Sequence, residues 1–338
     1  MSIIAAALKP QSILIATDFS EASEKALRYS LELARFYESK LCLAHVVSSL
    51  GPAIAGPGAI AACEEAVLRE ATQLQASLVR TGGRSGIQPK FFIRRGELWP
   101  ELREIIREVS ADLLVVGTHG RHGIAKLFFG SNAEQIFRQA ECPVLTFGPH
   151  TNVTLGFVMS STRPTFLFAT DFGPASLHDL PQAIAAANQF GARLAFLSII
   201  PTAQSHTDEG LSNWQAEARI TTLERLSQLA HNATLDLKPE LYVEFGSEKP
   251  VSEKILETAD KVRANLIIMG LHDSSMRGGG SHVNSSTAYD VACRAGSPVM
   301  TVNFPSGKVS TRPRPTEIAA SPLSQADLIR IRGLGLKW

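Results

Sequence analysis

Two stretches of this chain nearly repeat each other: SILIATDFS at residues 12–20 and TFLFATDFG at residues 165–173. They share Ala-Thr-Asp-Phe and lie 153 residues apart in a chain of 338 residues. Two further pairs follow in the same order, namely LLVVGTHG (113–120) with LIIMGLHD (266–273) and AECPVLTF (140–147) with AGSPVMTV (295–302). Three ordered matches at nearly constant spacing indicate two homologous domains.

The repeats place the two domains at residues 8–148 and 162–304, with a linker at 149–161. A tail follows at 305–338, and its six basic and two acidic side chains give it a charge of +4. Its Pro and Ser content favours disorder up to about residue 321. Two interpretations of the tail stay open: a mobile extension, or a segment that docks through Trp338 on this chain or on a partner.

Each repeat alternates short apolar runs with amphipathic stretches, which predicts five strands separated by four helices. The predicted strands are 13–17, 40–47, 90–94, 113–117 and 143–147, then 165–170, 193–200, 240–245, 266–270 and 298–302. The predicted helices are 20–37, 62–80, 98–109 and 131–139, then 175–190, 211–232, 248–263 and 287–295. This order predicts an α/β fold of two tandem, doubly wound, five-stranded parallel-sheet domains.

The composition excludes several classes of protein. With 33 basic and 32 acidic residues the net charge is +1, so nucleic acid and an anionic membrane surface are not expected as main partners. No apolar run is long enough to span a bilayer, and MSIIAAALKP at the start does not resemble a secretory signal. Four widely spaced cysteines without a Cys-x-x-Cys motif predict reduced thiols in a cytoplasmic protein and no metal site.

The predicted sheets indicate where a ligand binds. Doubly wound sheets bind ligands beyond the carboxyl ends of their strands, where the strand order changes. Thr17 and Asp18 follow the first strand, and the fourth strand ends in GTHGRHGIAKLFFGSN at 117–132, a Gly-x2-Gly-x9-Gly-Ser pattern. Glycines allow a ligand to approach the backbone, and a helix that starts after the last glycine offers free N–H groups to an anion. The loop therefore predicts a phosphate site, although it is neither a Walker loop nor a dinucleotide motif.

Structural roles remain open for the same residues. Gly117 and Gly120 also fit a tight turn, and Asp18 also fits a helix cap. Ser131 with Glu134 fits a capping box, which is compatible with phosphate binding because the cap uses only some of the donors. His119 and Arg121 also fit solvated loop residues. Together with the repeat architecture, the pattern favours a nucleotide site.

The residues Thr17-Asp18-Phe19-Ser20, His45-Val46 and Gly117-x2-Gly120-x9-Gly130-Ser131 resemble the universal stress protein family in its tandem form. The glycine motif resembles the ATP-binding branch of that family. The resemblance covers both repeats and implies Rossmann-like domains related to the adenine nucleotide alpha hydrolases. It also implies a cytoplasmic, stress-related role with an unknown protein partner. Family members dimerise through the last strand, so a tandem chain could form an intramolecular pseudo-dimer, and a homodimer stays open.

The resemblance implies ATP, with magnesium, as the ligand of the first repeat. Asp18 would then hydrogen-bond the adenine or ribose edge. The remaining implied contacts are the base pocket (Ala16, Thr17, Val46 and Val116), the ribose and phosphates (Gly117, Gly120, His119 and Arg121) and the phosphate donors at the helix start (Gly130, Ser131 and Asn132).

The second repeat departs from this pattern. Asp273 stands where the first repeat has Gly120, and the following stretch is two residues longer, so Gly130 aligns near Ser285. A carboxylate beside phosphates repels them. We therefore expect one competent nucleotide site, in the first repeat, and a weak or absent one in the second.

The sequence offers little for catalysis. A hydrolase needs a positioned base, a metal site or an electrophilic clamp, and His119 has no evident carboxylate to orient it. The predicted function is an ATP-binding stress-response regulator that uses the nucleotide as a switch ligand. The alternatives are a nucleotide-independent interaction scaffold and a slow ATPase.

Overall fold

A computed structural model describes residues 9–48, 89–118, 139–152, 163–201, 208–246, 249–271 and 285–303. It also describes positions 58, 62, 65–66, 68–69, 72–73, 87 and 136. Contacts divide the chain into two compact units, one with the described residues of Pro10–Leu127 and one with those of Phe128–Ser306. The predicted helices at 62–80 and 131–139 lie largely outside the described residues, as does the whole tail from 305.

The first unit is a parallel sheet with helices between its strands. Its elements are β1 (Ser12–Ala16), α1 (Glu21–Tyr37), β2 (Lys40–Ser48), β3 (Lys90–Gly96), α2 (Leu98–Glu108) and β4 (Leu113–Gly117). The strand order is β3-β2-β1-β4, and the pairs β1–β2, β2–β3 and β1–β4 are all parallel. The order reverses beside β1, so the switch point lies where the sequence predicted it.

The second unit repeats this plan and adds two strands at one edge of the sheet. Its elements are β5 (Val144–Phe147), β6 (Thr165–Ala169), α3 (Pro174–Gln189), β7 (Arg193–Ile200), α4 (Asp208–Asn232), β8 (Glu240–Phe245), α5 (Val251–Lys261), β9 (Leu266–Leu271), α6 (Ser285–Arg294) and β10 (Val299–Asn303). The strand order is β5-β10-β9-β6-β7-β8, with parallel pairs from β10 to β8. The predicted α/β fold class with doubly wound, mostly parallel sheets is confirmed.

The last strands of the two repeats pair with each other. β5 runs antiparallel to β10, with Leu145 opposite Met300. The segment that follows β5 is hydrogen-bonded to the turn between α6 and β10, because the Asn152 N–H donates to the carbonyl of Gly296 at 2.9 Å. Gly148 lies so close that an added Cβ would be 2.7 Å from the carbonyl oxygen of Ala292. A side chain at this position would therefore collide with the end of α6.

The strands form the core of each unit. Ile13, Leu14 and Ile15 of β1 are fully buried, and every residue of β9 is buried. Such continuous apolar strands are covered on both faces by helices. α1 begins at the N-cap Ser20, whose hydroxyl accepts the Ser23 N–H, and its buried face packs on the sheet.

One carboxyl group lies in the core of the second unit. Asp179 on α3 is 0% exposed, and within the described part of the chain neither of its side-chain oxygens has a hydrogen-bond partner. Burial raises the pKa of this carboxyl to about 9. The matching position of the first repeat is Ala26, which is also fully buried.

Candidate functional site

The predicted base pocket lies where three strands end. Ala16 at the end of β1 is in register with Ala44 of β2 and Val116 of β4. The Thr17 N–H continues the ladder by donating to the carbonyl of Ala44 at 2.8 Å. The structure thereby brings together six of the predicted site residues at one sheet edge: Ala16, Thr17, Asp18, Val46, Val116 and Gly117.

Asp18 holds the turn between β1 and α1. Its Oδ1 accepts hydrogen bonds from the Ser20 N–H at 3.0 Å and from the Ser23 hydroxyl at 2.5 Å. Phe19 has a φ of 61°, a conformation that costs a non-glycine residue about 1–2 kcal/mol, and Asp18 helps to hold it. Both bonds end on Oδ1, and within the described residues none reaches Oδ2. The capping role that the sequence left open is therefore present.

Gly117 has a packing role that the sequence did not reveal. A Cβ at this position would lie 2.8 Å from the Ser23 nitrogen and 2.9 Å from the Ala22 carbonyl carbon. Real Cβ atoms do not approach backbone so closely, so only glycine lets β4 end beside the first turn of α1. The requirement arises from the fold itself, whatever the loop after β4 binds.

His45 is a neighbour of this site that the sequence analysis did not single out as a site residue. Its Nδ1 lies 2.7 Å from the carbonyl oxygen of Thr17 and therefore donates to it. Its ring lies 4.8 Å from the Phe19 ring, between centroids. The imidazole thus stabilises the turn and occupies the space beside it. His45 directly precedes Val46 at the end of β2, and this pair was among the residues that carried the family resemblance, which was the signal for His45 in the sequence.

The predicted phosphate donors cannot be placed in the same way. His119, Gly120, Arg121, Gly130, Ser131 and Asn132 lie outside the described residues. Their role in holding phosphates remains a prediction. Among the residues that the structure does describe, no group of three or more His, Cys, Asp or Glu side chains is placed to hold a metal ion.

The second repeat builds the same turn. Asp171 Oδ1 accepts from the Gly173 N–H at 2.8 Å and from the Ser176 hydroxyl at 2.9 Å. Phe172 has a φ of 59°, and the Thr170 N–H donates to the carbonyl of Leu197 at 2.8 Å. These contacts correspond one for one with those of the first repeat. The backbone of the site has therefore been kept in both copies.

A cavity of about 220 Å³ opens beside the turn of the second repeat. It is lined by residues 169–172 at the end of β6 and in the following turn, by 197–201 at the end of β7, and by four residues of α4 and α5, namely Thr222, Arg225, Val251 and Ile255. Arg225 of α4 places its guanidinium carbon 4.0 Å from the centre of the Phe172 ring. The sequence analysis had assigned no role to Arg225 or to the end of β7.

Comparison with known proteins identifies the family. The family model described as the universal stress protein family matches residues 10–147 and again residues 163–303. The chain belongs to the universal stress protein family. It contains two copies of the family domain in tandem, which confirms the resemblance seen in the sequence.

Individual relatives resemble one repeat at a time. A universal stress protein of Methanocaldococcus jannaschii is 26% identical over 137 residues, which are 40% of this chain and 80% of the relative. Universal stress protein A homolog 1 of Coxiella burnetii is 30% identical over 136 residues, which are 39% of this chain and 92% of the relative.

Solved structures resemble both repeats together. A universal stress protein from Archaeoglobus fulgidus has a TM-score of 0.58 at 18% identity, over 87% of this chain and 98% of its own. A functionally unknown protein from Pseudomonas aeruginosa has a TM-score of 0.55 at 20% identity, over 89% of this chain and 94% of its own. At this level of identity the likeness concerns the fold. Within the described residues, no helix combines the length and apolar character needed to cross a membrane.

Proposed function

We propose that this tandem universal stress protein binds ATP with magnesium in its first repeat and uses the nucleotide as a switch ligand in a cytoplasmic stress response. One observation carries the proposal: the predicted base-pocket residues of three separate chain segments meet at one sheet edge, at the switch point of the strand order. Ligands of doubly wound sheets bind at this place.

The base and ribose would occupy the edge formed by the strand ends. Val116 would pack beside the base and Val46 would offer its backbone groups to adenine, while Thr17 and Asp18 supply polar groups beside them. Asp18 Oδ2 is suited to a ribose or adenine donor because the capping bonds of this side chain both end on Oδ1. The turn itself is held by His45, so these groups are ordered before any ligand binds.

The phosphates would be held by the segment that follows β4. Gly120 lets the backbone approach them, and the N–H groups of Gly130, Ser131 and Asn132 supply donors at a predicted helix start. Arg121 and His119 would face the phosphate end. Magnesium would neutralise part of the phosphate charge, as it does in other nucleotide sites.

ATP would act through linkage and not through turnover. A ligand that binds one conformation shifts the population towards it by its differential affinity, and a protein partner can read that shift. His119 is a candidate proton acceptor in the loop, and the sequence offers it no orienting carboxylate. We therefore propose slow or absent hydrolysis.

The antiparallel pairing of β5 with β10 supports an intramolecular pseudo-dimer. In the family, as the sequence resemblance implies, two separate chains associate through their last strands. Here the last strands of the two repeats are hydrogen-bonded to each other, so neither leaves that edge open to a second chain. A homodimer would need a different surface.

Titration calorimetry of the full chain with ATP and magnesium tests the proposal. We expect one site per chain, lost in Gly120→Asp, which copies Asp273 into the first repeat and repels the phosphates. Gly120→Asn is the matched control, because it adds a side chain of the same size without the charge, so any affinity that it keeps over Gly120→Asp measures the repulsion alone. Gly117→Ala is unsuitable, because its Cβ would disturb α1 whether or not ATP binds.

Two outcomes would contradict the proposal. If the wild-type chain binds no ATP, the repeats form a nucleotide-independent scaffold. If two sites per chain are found, the substitution of Asp273 for glycine has not disabled the second repeat.

A further inference from the structure

The first two turns of α3 are held less firmly than those of α1. α1 begins at Ser20, whose hydroxyl accepts the Ser23 N–H, and it has Glu21 and Glu24 in its first turn. α3 begins after Gly173, with no side-chain cap and no acidic residue in its first turn. A capping side chain and acidic residues both stabilise the start of a helix. The start of α3 therefore lacks two contributions that α1 has.

A proline separates these two turns from the rest of α3. Pro181 lies inside the helix and has no N–H to donate to the carbonyl of Leu177, four residues earlier, and its ring crowds that carbonyl. The sequence of α1 contains no proline, so its ladder of hydrogen bonds has no such interruption. Pro181 thus forms the boundary of the segment Pro174–Leu180, which we call the α3 start segment.

The α3 start segment carries the buried carboxyl of the second unit. Asp179 is 0% exposed and lies on the inward side of α3 with Ser176, Ala183 and Ala186, which are also buried. Neither of its side-chain oxygens has a hydrogen-bond partner among the described residues. A buried carboxylate without a partner is disfavoured far more strongly than the neutral acid. Ionisation of Asp179 therefore weakens the packing of this segment, whereas α1 has Ala26 at the matching position.

The strands beneath the segment offer no charge to Asp179. α3 packs on β6, β7, β9 and β10. Among the residues of these strands Arg193 alone is ionisable, and it forms an ion pair with Glu240 at 2.7 Å. Burial is therefore what raises the pKa of Asp179.

Other charged groups near the segment are exposed or engaged. His178 on the same helix is exposed. Asp171 in the preceding turn accepts from the Ser176 hydroxyl at 2.9 Å, and Arg225 of α4 stacks on Phe172. Because Ser176 belongs to the α3 start segment, its hydrogen bond ties the turn of the second repeat to the position of the segment.

We propose that the α3 start segment is a pH-sensitive switch: it moves away from the sheet about Pro181 when Asp179 loses its proton, and it thereby breaks the hydrogen bond between Ser176 and Asp171 and releases the turn after β6. The inference does not rest on ATP binding in the first repeat. Since the first repeat has Ala26 and no proline in α1, only the second repeat carries this combination of residues.

The direction of the pH effect follows from the two states of the carboxyl. In the open segment Asp179 is in water, where its pKa has the ordinary value of 3.8, whereas burial in the closed segment raises the pKa to about 9. Between these two values opening releases one proton. Each rise of one pH unit therefore favours the open segment by about tenfold.

Hydrogen–deuterium exchange of the full chain from about pH 6 to about pH 8 tests the switch, after correction for the pH dependence of exchange in an unstructured peptide. Protection of the amides at 177–180 should fall about tenfold per pH unit. It should also be at least about tenfold lower than protection at 183–187, beyond Pro181. Equal protection on the two sides of Pro181 would mean that Asp179 acts only through unfolding of the whole unit, and this result would overturn the inference.

Two variants test the role of the carboxyl. Asp179→Asn keeps the size of the side chain but cannot ionise, so protection at 177–180 should no longer depend on pH. Asp260→Asn, the same change at an exposed position of α5, is the matched control and should keep the full pH dependence. Asp179→Ala copies the first repeat and should also lose the pH dependence, so it decides if the asparagine variant fails to fold. A pH dependence that persists without the carboxyl contradicts the proposal.

The hinge is tested at Pro181. Pro181→Ala restores an N–H that can donate to the Leu177 carbonyl, so protection at 177–180 should rise about tenfold or more at every pH, while the pH dependence remains. Gln182→Ala is the control, because it leaves the hydrogen-bond ladder unchanged and should alter protection by no more than about threefold. Unchanged protection in Pro181→Ala would show that the boundary of the segment does not lie at this residue.

The link to the turn has its own measurement. The Phe172 N–H donates to the Thr170 hydroxyl at 3.0 Å, and the Gly173 N–H donates to Asp171 at 2.8 Å. Protection of these two amides should fall with pH in parallel with that at 177–180, and it should become independent of pH in Asp179→Asn. Constant protection of the turn in the wild-type chain would overturn its coupling to the segment.

Discussion

The two repeats of this universal stress protein have kept the same turn but not the same surroundings. Asp18 and Asp171 make matching hydrogen bonds, and Phe19 and Phe172 share the same left-handed backbone conformation. The side chains that fill space beside these turns have changed: His45 has become Ser198. The comparison indicates that the groups which hold the backbone have been kept in both copies, while a side chain packed beside the turn has changed.

The same divergence reaches the core, where Ala26 of α1 corresponds to Asp179 of α3. The strongest test of this comparison is Ala26→Asp. It places a carboxyl in a fully buried position that was built for a methyl group, and we expect a loss of about 4 kcal/mol or more in unfolding free energy. Hydrogen–deuterium exchange should locate the loss in α1 and its sheet. Ala26→Ser, a smaller and uncharged change, should cost clearly less, and an equal cost would contradict a charge effect.

The reverse substitution, Asp179→Ala, should stabilise the chain. The pKa of Asp179 is raised from its ordinary 3.8 to about 9 in the folded state, so the unfolded chain releases this proton first. Below pH 3.8 the carboxyl is protonated in both the folded and the unfolded chain, so its ionisation does not affect stability. From pH 3.8 to about pH 9 it ionises only in the unfolded chain, and the unfolding free energy of the wild-type protein falls as the pH rises. At neutral pH this loss of unfolding free energy amounts to about 4 kcal/mol. Asp179→Ala should recover it, less the packing contacts that are lost with the aspartate side chain.

Urea denaturation across this pH range provides the measurement for Asp179→Ala. The difference in unfolding free energy between variant and wild type should increase from pH 4 to pH 9. A difference that does not vary with pH would mean that Asp179 ionises in the folded chain as it does in the unfolded one.

A third test concerns the packing of β4 against α1. Gly117→Ala should cost about 1–3 kcal/mol, because the atoms that the new Cβ meets are backbone atoms that cannot rotate away. Gly246→Ala is the control: its Cβ would meet Ile199 at 3.5 Å, an ordinary contact, and should change stability by no more than about 0.5 kcal/mol. Equal effects in urea denaturation would remove the packing role assigned to Gly117.

We expect the smallest effect on the unfolding free energy at the carboxyl ends of α1 and α3, the first helix of each repeat. Glu38 after α1 and Gly191 after α3 share a φ of 58°, which favours glycine. Glu38→Gly should therefore raise the unfolding free energy by about 0.5–1 kcal/mol, and Gly191→Ala should lower it by a similar amount. Thermal melts of the two variants should shift in opposite directions, and shifts in the same direction would contradict the comparison.

Much of the fold could be predicted because its determinants are local. The predicted strand at 113–117 is the observed β4, and the predicted helix at 98–109 differs from α2 by one residue. Apolar runs and their spacing report directly on buried strands and amphipathic helices. The edge at which Thr17, Asp18 and Gly117 meet also followed, because parallel strands end on the same side of a sheet.

The roles of individual site residues were harder to predict. Asp18 fitted both a cap and a ligand contact in the sequence, and the structure shows the cap on one oxygen. Gly117 fitted a turn or a close approach to ligand, whereas its constraint comes from Ala22 and Ser23. Arg225 lay in a predicted helix with no sign of its stacking on Phe172. Each of these depends on a second element whose distance from the first is not encoded in the spacing of residues.

The sequence by itself determined the duplication, the order of strands and helices, and the sheet edge that carries the candidate site, because these follow from periodicity and repetition along the chain. Only the tertiary structure decided that β5 pairs with β10, that Asp179 is buried without a hydrogen-bond partner among the described residues, and that a cavity beside Ser198 faces Arg225. The physical reason is that contacts between elements depend on helix rotation and strand register, and many sequences with the same apolar pattern would place those side chains differently.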